Sequence, residues 1–233
     1  MKYMGSKNRI AKEILPIILK DRKENQYYVE PFCGGLGTFD KVSGLRIAND
    51  KNKYLIAMWK GLQENRQRPH EISKELYSKA RTEFNNRTNI DFDDFMIGWI
   101  GWMASFNGRF FDGGYSGKHG NRDYIKEQIQ NTEKQIPLLD GAEFYSYDYD
   151  KLVYPDNSII YCDIPYKNTK QYSTSKDFNH SKFWQWCRDM TLKGHTVFIS
   201  EYNAPNDFKC IWSKEVTNSM HTTNTSKPTE RIF

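Results

Sequence analysis

An α/β fold, a doubly wound parallel sheet interrupted by a helical subdomain, is what three features of the sequence predict. Near both ends of the chain, short apolar segments alternate with amphipathic helical stretches, the rhythm of a parallel sheet. The middle of the chain has helical periodicity and no strong strand. A glycine-rich loop, Gly34-Gly35-Leu36-Gly37, follows the first strand directly, where sheets of this kind hold ligands.

Taken in order, the first helix is expected near Ser6, with Ile10, Ala11, Ile14, Leu15 and Ile18 on one face and Pro16 bending or shortening it. Tyr27-Tyr28-Val29-Glu30 reads as a strand, and Leu45-Arg46-Ile47-Ala48 as a second that ends in Asn49-Asp50. A helix over about residues 52–65 follows. In the middle, Ile72, Leu76, Ala80 and Phe84 stripe one helix. Residues 95–106 are apolar nearly all round, with Gly98 and Gly101 leaving room for a neighbouring helix, and Ile125, Ile129 and Ile136 mark a third helix. Strands return at 142–147, 158–162 and 195–200, with another near 208–216. A last helix turns Phe183, Trp186, Cys187 and Met190 inward and stops at Gly194.

At 233 residues the chain can bury a core without disulfide staples. Its 15% aromatic content excludes a disordered chain, and no apolar run has the length of a membrane-spanning helix. The opening MKYMGSKNRI lacks the apolar stretch of a secretory signal, which predicts a cytoplasmic protein. Cys33, Cys162, Cys187 and Cys210 have no metal-type spacing and read as reduced, mostly buried thiols. The five histidines form neither a nucleophile triad nor a ligand pattern, so no metal is expected. A net charge of +5 suits a polyanionic partner without requiring one.

Three motifs carry the chemistry. The glycine loop lets backbone approach a nucleoside or amino-acid ligand, or simply makes a tight turn. Asp40 stands where a dinucleotide fingerprint would have its last Gly or Ala, and the Gly-Lys-Ser/Thr of a P-loop is absent. Asp50 can accept both hydroxyls of a ribose or cap the following helix, and its distance from the glycine loop favours the ribose. The strand at 158–162 ends in Asp163-Ile164-Pro165-Tyr166, which places an acid, a main-chain carbonyl and an aromatic ring at a strand tip. The amino group of a purine is a poor nucleophile because its lone pair is delocalised into the ring. Two acceptors aimed at its N–H groups stabilise the charge that develops on alkylation. Asp163 and the Ile164 carbonyl are candidates for those acceptors, and Tyr166 for stacking on the base.

Lys2-Tyr3-Met4-Gly5-Ser6-Lys7, Glu30-Pro31-Phe32-Cys33-Gly34-Gly35-Leu36-Gly37, Asn49-Asp50-Lys51-Asn52 and Asp163-Ile164-Pro165-Tyr166 occur in that order. Together they resemble the Dam-like N6-adenine-specific DNA methyltransferases, with the motif order of their alpha group, over nearly the whole chain to Thr229-Glu230-Arg231. The resemblance implies a Rossmann-like, S-adenosyl-L-methionine-dependent catalytic domain (residues 1–65 and 140–233) with a helical target-recognition insertion (66–139). It further implies that Tyr3, Lys7, Asp50 and Asp163 contact the cofactor and that the loop with Glu30, Phe32, Gly34, Gly35 and Gly37 lines its amino-acid side. The family usually has Pro where Ile164 stands, but the position supplies a main-chain carbonyl, which Ile keeps.

The stretch 106–115 resembles the family's DNA-reading segment, where Arg109 can span a guanine edge and Asn107 an adenine edge. Tyr115 is a candidate contact beside a flipped base, and Lys118, His119 and Arg122 are candidate phosphate contacts. Lys167, Lys170 and Lys176 invite the same reading, whereas Trp184 and Trp186 read as packing residues. The expected activity is methylation of a flipped-out adenine in double-stranded DNA, by a monomer in a bacterial or phage-infected cell, with a possible cognate restriction endonuclease. RNA adenine or a protein glutamine as substrate, or a DNA-binding relic without catalysis, are the alternatives; Tyr3 to Lys7 and the helical insertion favour DNA.

Overall fold

The computed structural model describes residues 1–166, 178–216 and 228–233. Ser6 Oγ accepts the Asn8 N–H at 3.3 Å and opens a 3-10 turn over Lys7–Arg9. Helix α1 (Ala11–Ile18) therefore begins after that turn rather than near Ser6, and it ends two residues beyond Pro16. Then come β1 (Tyr28–Glu30), β2 (Arg46–Asn49) and α2 (Lys53–Gln63), whose first turn is capped by the Asn52 side chain. Helices α3 (Lys74–Asn86) and α4 (Asp94–Ala104) lead to a short antiparallel ribbon, β3 (Lys118–His119) and β4 (Arg122–Asp123), and to α5 (Tyr124–Glu133). The chain continues through β5 (Ala142–Tyr145), β6 (Ile159–Asp163), α6 (His180–Leu192), β7 (Thr196–Glu201), β8 (Trp212–Glu215) and β9 (Thr229–Ile232).

The main sheet has the order β5-β2-β1-β6-β7-β9-β8. Strands β5, β2, β1, β6 and β7 pair in parallel, while β9 runs antiparallel to both β7 and β8. From β1 the chain builds outward through β2 to β5, then returns to the other side of β1 as β6 and β7. The carboxyl ends of β1 and β6 thus flank a topological switch point, where open α/β sheets bind ligands.

Alternate strand residues supply two cores, as a sheet covered on both faces requires. Tyr28, Ala48, Ile159 and Tyr161 join one cluster with α1, α2 and the inserted helices. Val29, Ile47, Ile160 and Cys162 join the other with Phe183, Trp184, Cys187 and Met190 of α6. On α6 it is Trp184 that is buried, its ring 4.7 Å from that of Phe208, with Trp186 half-buried at the edge of the cluster. The inserted helices share the first core rather than forming their own, and Gly98 shows how closely they pack: a Cβ there would lie 2.1 Å from the Tyr54 carbonyl oxygen of α2. Gly101 faces the rings of Phe110 and Phe111 instead of a helix. Cys33, Cys162 and Cys187 are buried free thiols and Cys210 is exposed. Among the described residues no helix is long and apolar enough to cross a membrane.

Candidate active site

Asn49, fully buried at the end of β2, binds three carboxyl-end loops together. Its Nδ2 donates to the carbonyls of Pro31 and Tyr147, both at 3.0 Å, and its Oδ1 accepts the Tyr147 N–H at 2.9 Å. Sequence reasoning passed over this residue, although a polar side chain closing an apolar strand was a usable signal. Asp50, next in the chain, accepts the Gly34 N–H at 3.2 Å through Oδ2 and the Asn52 N–H at 2.9 Å through Oδ1. Helix capping falls to Asn52, which leaves the half-buried Asp50 carboxylate turned to the glycine loop. Burial pushes its pKa up to about 6, against the pull of those two N–H groups.

The glycine loop is pressed against the chain's own N-terminal segment. A Cβ at Gly34 would lie 2.8 Å from the Tyr3 ring, one at Gly35 2.5 Å from Tyr3 Cβ, and one at Gly37 2.4 Å from Ser6 Oγ. The close approach these glycines permit is therefore that of Tyr3 and Ser6. Asp40 is held by Gln135, which donates to its Oδ2 at 2.9 Å and to the Gly35 carbonyl at 3.2 Å. Phe32 points to the other core, 5.4 Å from the Tyr149 ring and 5.9 Å from that of Phe183. Glu30 is buried and accepts the Tyr28 hydroxyl at 2.7 Å. Burial raises its pKa to about 8, so it is mostly a neutral acid at pH 7.

Across the switch point, Asp163 ends β6, and Lys7 Nζ lies 3.1 Å from its Oδ1. The 3-10 turn after Ser6 is what brings Lys7 there. Burial raises the Asp163 pKa to about 6, Lys7 holding it down and Glu230 pushing it up. Burial opposes the charge on Lys7, but Asp163 and Glu230 keep its pKa above the ordinary lysine range. Ile164 is 3% exposed and packs into the α6-side core; Pro165 is half-buried. Tyr166 is also buried, with Lys7 Nζ 4.4 Å above its ring, Tyr202 edge-on at 4.6 Å and its hydroxyl donating to Glu230 Oε2 at 2.5 Å. One ring face is thus already covered by an ammonium group. Glu230 and Tyr202 were not among the sequence candidates, since only sheet pairing brings β9 and the end of β7 to this turn.

The candidate DNA residues lie on and beyond the loop after α4. Asn107 is exposed in a left-handed conformation (φ 56°), and its Oδ1 accepts from Lys2 Nζ at 3.0 Å. Arg109 is ion-paired with Asp112, Lys118 Nζ lies 3.8 Å from Asp123, and Arg122 makes two hydrogen bonds to Glu127 at 2.6 and 2.8 Å. His119 is exposed on β3. Tyr115 turns inward, its hydroxyl donating to the Ile72 carbonyl at 2.7 Å and its ring 5.6 Å from Tyr77, so it braces the loop rather than facing solvent. Phe111, also at positive φ, is buried with its N–H on Ser105 Oγ at 2.9 Å. A cavity of about 490 Å³ between the N-terminal segment and the insertion includes Lys2, Ser6, Asn107, Gly108 and Arg122 in its walls. Lys167, Lys170 and Lys176 lie outside the described residues.

A mostly parallel sheet with this switch point and inserted helices is the architecture of a Rossmann-like methyltransferase. The family model of the D12 class N6 adenine-specific DNA methyltransferases matches residues 3–200, and the chain belongs to that family. It is an enzyme that methylates adenine in DNA, and its family implies use of S-adenosylmethionine.

Proposed function

We propose that the carboxyl edge of β1, β2 and β6 binds S-adenosylmethionine and presents Asp163-Ile164-Pro165-Tyr166 to an adenine flipped out of double-stranded DNA. The observation that carries this reading is the meeting of the Asp50–Gly34 and Lys7–Asp163 contacts at one switch point. The residues suit the cofactor: a half-buried carboxylate, Asp50, stands ready for a ribose, and two acids, Asp163 and Glu230, lie beside one ammonium, that of Lys7. Such a surplus of acid groups favours a cationic ligand. When bound, the cofactor supplies an electrophilic methyl group on a positively charged sulfur.

In this proposal Asp50 accepts the ribose hydroxyls, and the loop with Glu30, Phe32, Gly34, Gly35 and Gly37, under Tyr3, shapes the amino-acid side. Lys7 occupies Oδ1 of Asp163, leaving Oδ2 and the Ile164 carbonyl to accept hydrogen bonds from the two amino N–H groups of adenine. Those acceptors stabilise positive charge on the nitrogen as it forms its new bond. Tyr166 contacts the adenine ring. Segment 66–139 reads the DNA, with Asn107 and Arg109 at base edges and Lys118 and Arg122 at phosphates. The enzyme works as a cytoplasmic monomer, alone or beside a cognate restriction endonuclease. The test is transfer of labelled methyl from S-adenosylmethionine to DNA, RNA or protein, with and without chelator, and mapping of the product base. Label at N6 of adenine in duplex DNA, insensitive to chelator, is expected. Label confined to RNA or protein would overturn the reading.

A further inference from the structure

Three distant parts of the chain meet around Tyr166. The turn after Ser6 brings Lys7, the end of β6 brings Asp163 and Tyr166, and β9 brings Glu230, 64 residues beyond Tyr166 in sequence. Glu230 shares its side of β9 with Ile232, which is 1% exposed and anchored in the core, so strand pairing delivers the carboxylate to a fixed place. Its Oε2 accepts the Tyr166 hydroxyl at 2.5 Å and lies 3.6 Å from Lys7 Nζ, which also holds Asp163. The Tyr166 ring is thereby fixed at its hydroxyl by a carboxylate and over its face by an ammonium at 4.4 Å. A tyrosine that served by stacking alone would have no use for its hydroxyl. Here the hydroxyl carries a charge-assisted hydrogen bond, among the stronger kinds a side chain makes.

We propose that Glu230 is a positioning residue for adenine methylation, acting through the Tyr166 hydroxyl to fix the ring at the catalytic turn. The proposal rests on the reading of that turn given above. It makes the last strand part of the active site, so that β9 has a function besides closing the sheet.

The test is single-turnover methyl transfer to DNA by wild type, Tyr166→Phe, Glu230→Gln, Glu230→Ala and the Tyr166→Phe/Glu230→Ala double variant, with cofactor affinity and melting measured alongside. Tyr166→Phe and Glu230→Ala should each slow transfer about 10- to 100-fold, the range for loss of one hydrogen bond to a charged group. Cofactor affinity should stay unchanged in Tyr166→Phe, which keeps every charge at the site. The double variant should be no slower than the worse single one, because both remove the same link. Glu230→Gln should keep more activity than Glu230→Ala, since its amide oxygen still accepts the hydroxyl proton. If Glu230→Ala does not fold, Tyr166→Phe and Glu230→Gln decide the matter. A Tyr166→Phe enzyme at the wild-type rate, or losses that multiply in the double variant, would overturn the proposal while leaving the methyltransferase reading intact. A wild-type protein that transfers no methyl to DNA would overturn both.

Discussion

The carboxyl edge of the sheet and the loop beyond α4 both carry charged residues, but they treat those charges in opposite ways. At the edge, Asp50, Asp163 and Glu30 are withdrawn from water and fastened by backbone N–H groups, Lys7 or a tyrosine hydroxyl. Burial pushes all three pKa values up: Glu30 rests mostly as a neutral acid, while Asp50 and Asp163 hold negative charge at a cost that a cationic ligand would relieve. On the loop, Arg109, Lys118 and Arg122 each face an acid a few residues away, Asp112, Asp123 or Glu127. These pairs sit largely in solvent, where an ion pair is worth little and salt screens it. In the proposed reading, one region is built in advance for its ligand, and the other stays nearly neutral until a stronger anion replaces its own acids.

If that contrast is right, the largest effects belong to the edge. Asp163→Ala should lower turnover ~100- to 1,000-fold even at saturating cofactor, as expected for loss of a preorganised partner of a developing charge. A fully active Asp163→Ala enzyme in a single-turnover assay would falsify the catalytic assignment. Asp50→Ala should weaken cofactor binding by about 1–3 kcal/mol by calorimetry, since hydroxyl groups lose a buried acceptor. It also releases Gly34 N–H, so Asp50→Asn, which keeps one acceptor, should fall between the two.

pH sharpens the comparison. Asp50 and Asp163 titrate near 6 in the folded protein, against about 4 in an unfolded chain. Between those values the folded state keeps protons that the unfolded state has lost, so these groups contribute less to stability as pH rises through that window. In the proposed mechanism activity needs the ionised carboxylates, so it should move the other way, falling as pH drops below about 6. Glu30 extends the loss of stability toward pH 8, and Glu30→Gln, which mimics its neutral form, should flatten the melting profile between pH 5 and 8. A wild-type melting temperature that rises across that range would count against the buried acids.

Smaller effects are expected elsewhere. Ile164→Pro should keep methyl transfer, since the carbonyl persists, but lower stability by about 1 kcal/mol because the buried Ile side chain packs against the α6-side core. Activity lost in a variant that is still folded would show that the turn needs more than the carbonyl. On the loop, Arg109→Ala should relax site choice more than it weakens sequence-independent binding. Arg122→Ala should lower all DNA affinities alike and reduce the salt slope by about 1. Glu127→Gln should move affinity upward, and an unchanged affinity at low salt would mean that Arg122 does not meet phosphate.

Much of this was legible without coordinates. Amphipathic spacing located α1, α2, α3, α5 and α6 to within a few residues, because burying one face leaves a period in the sequence, and apolar runs located α4 and the strands β1, β2, β5, β6 and β7. The missed strands lack such a run. In β9 only Ile232 is buried, and β3 and β4 are two residues each and mostly exposed. The motifs around Gly34, Asp50 and Asp163 could be read as a set because each is a short run of local chemistry at a strand end.

The sequence by itself determined the fold class and the family and supplied the candidates for the reaction, since period, turn chemistry and motif order are all written locally. Tertiary structure decided which groups share a hydrogen bond: Lys7 with Asp163, Asn49 with Pro31 and Tyr147, Tyr166 with Glu230. It also decided that the glycines seat Tyr3 and Ser6, and that Tyr115 braces a loop. Those partners lie up to 156 residues apart, as Lys7 does from Asp163 (163 less 7). No local pattern encodes such a pairing; it exists only once the strand order has brought the two ends of the chain to one edge.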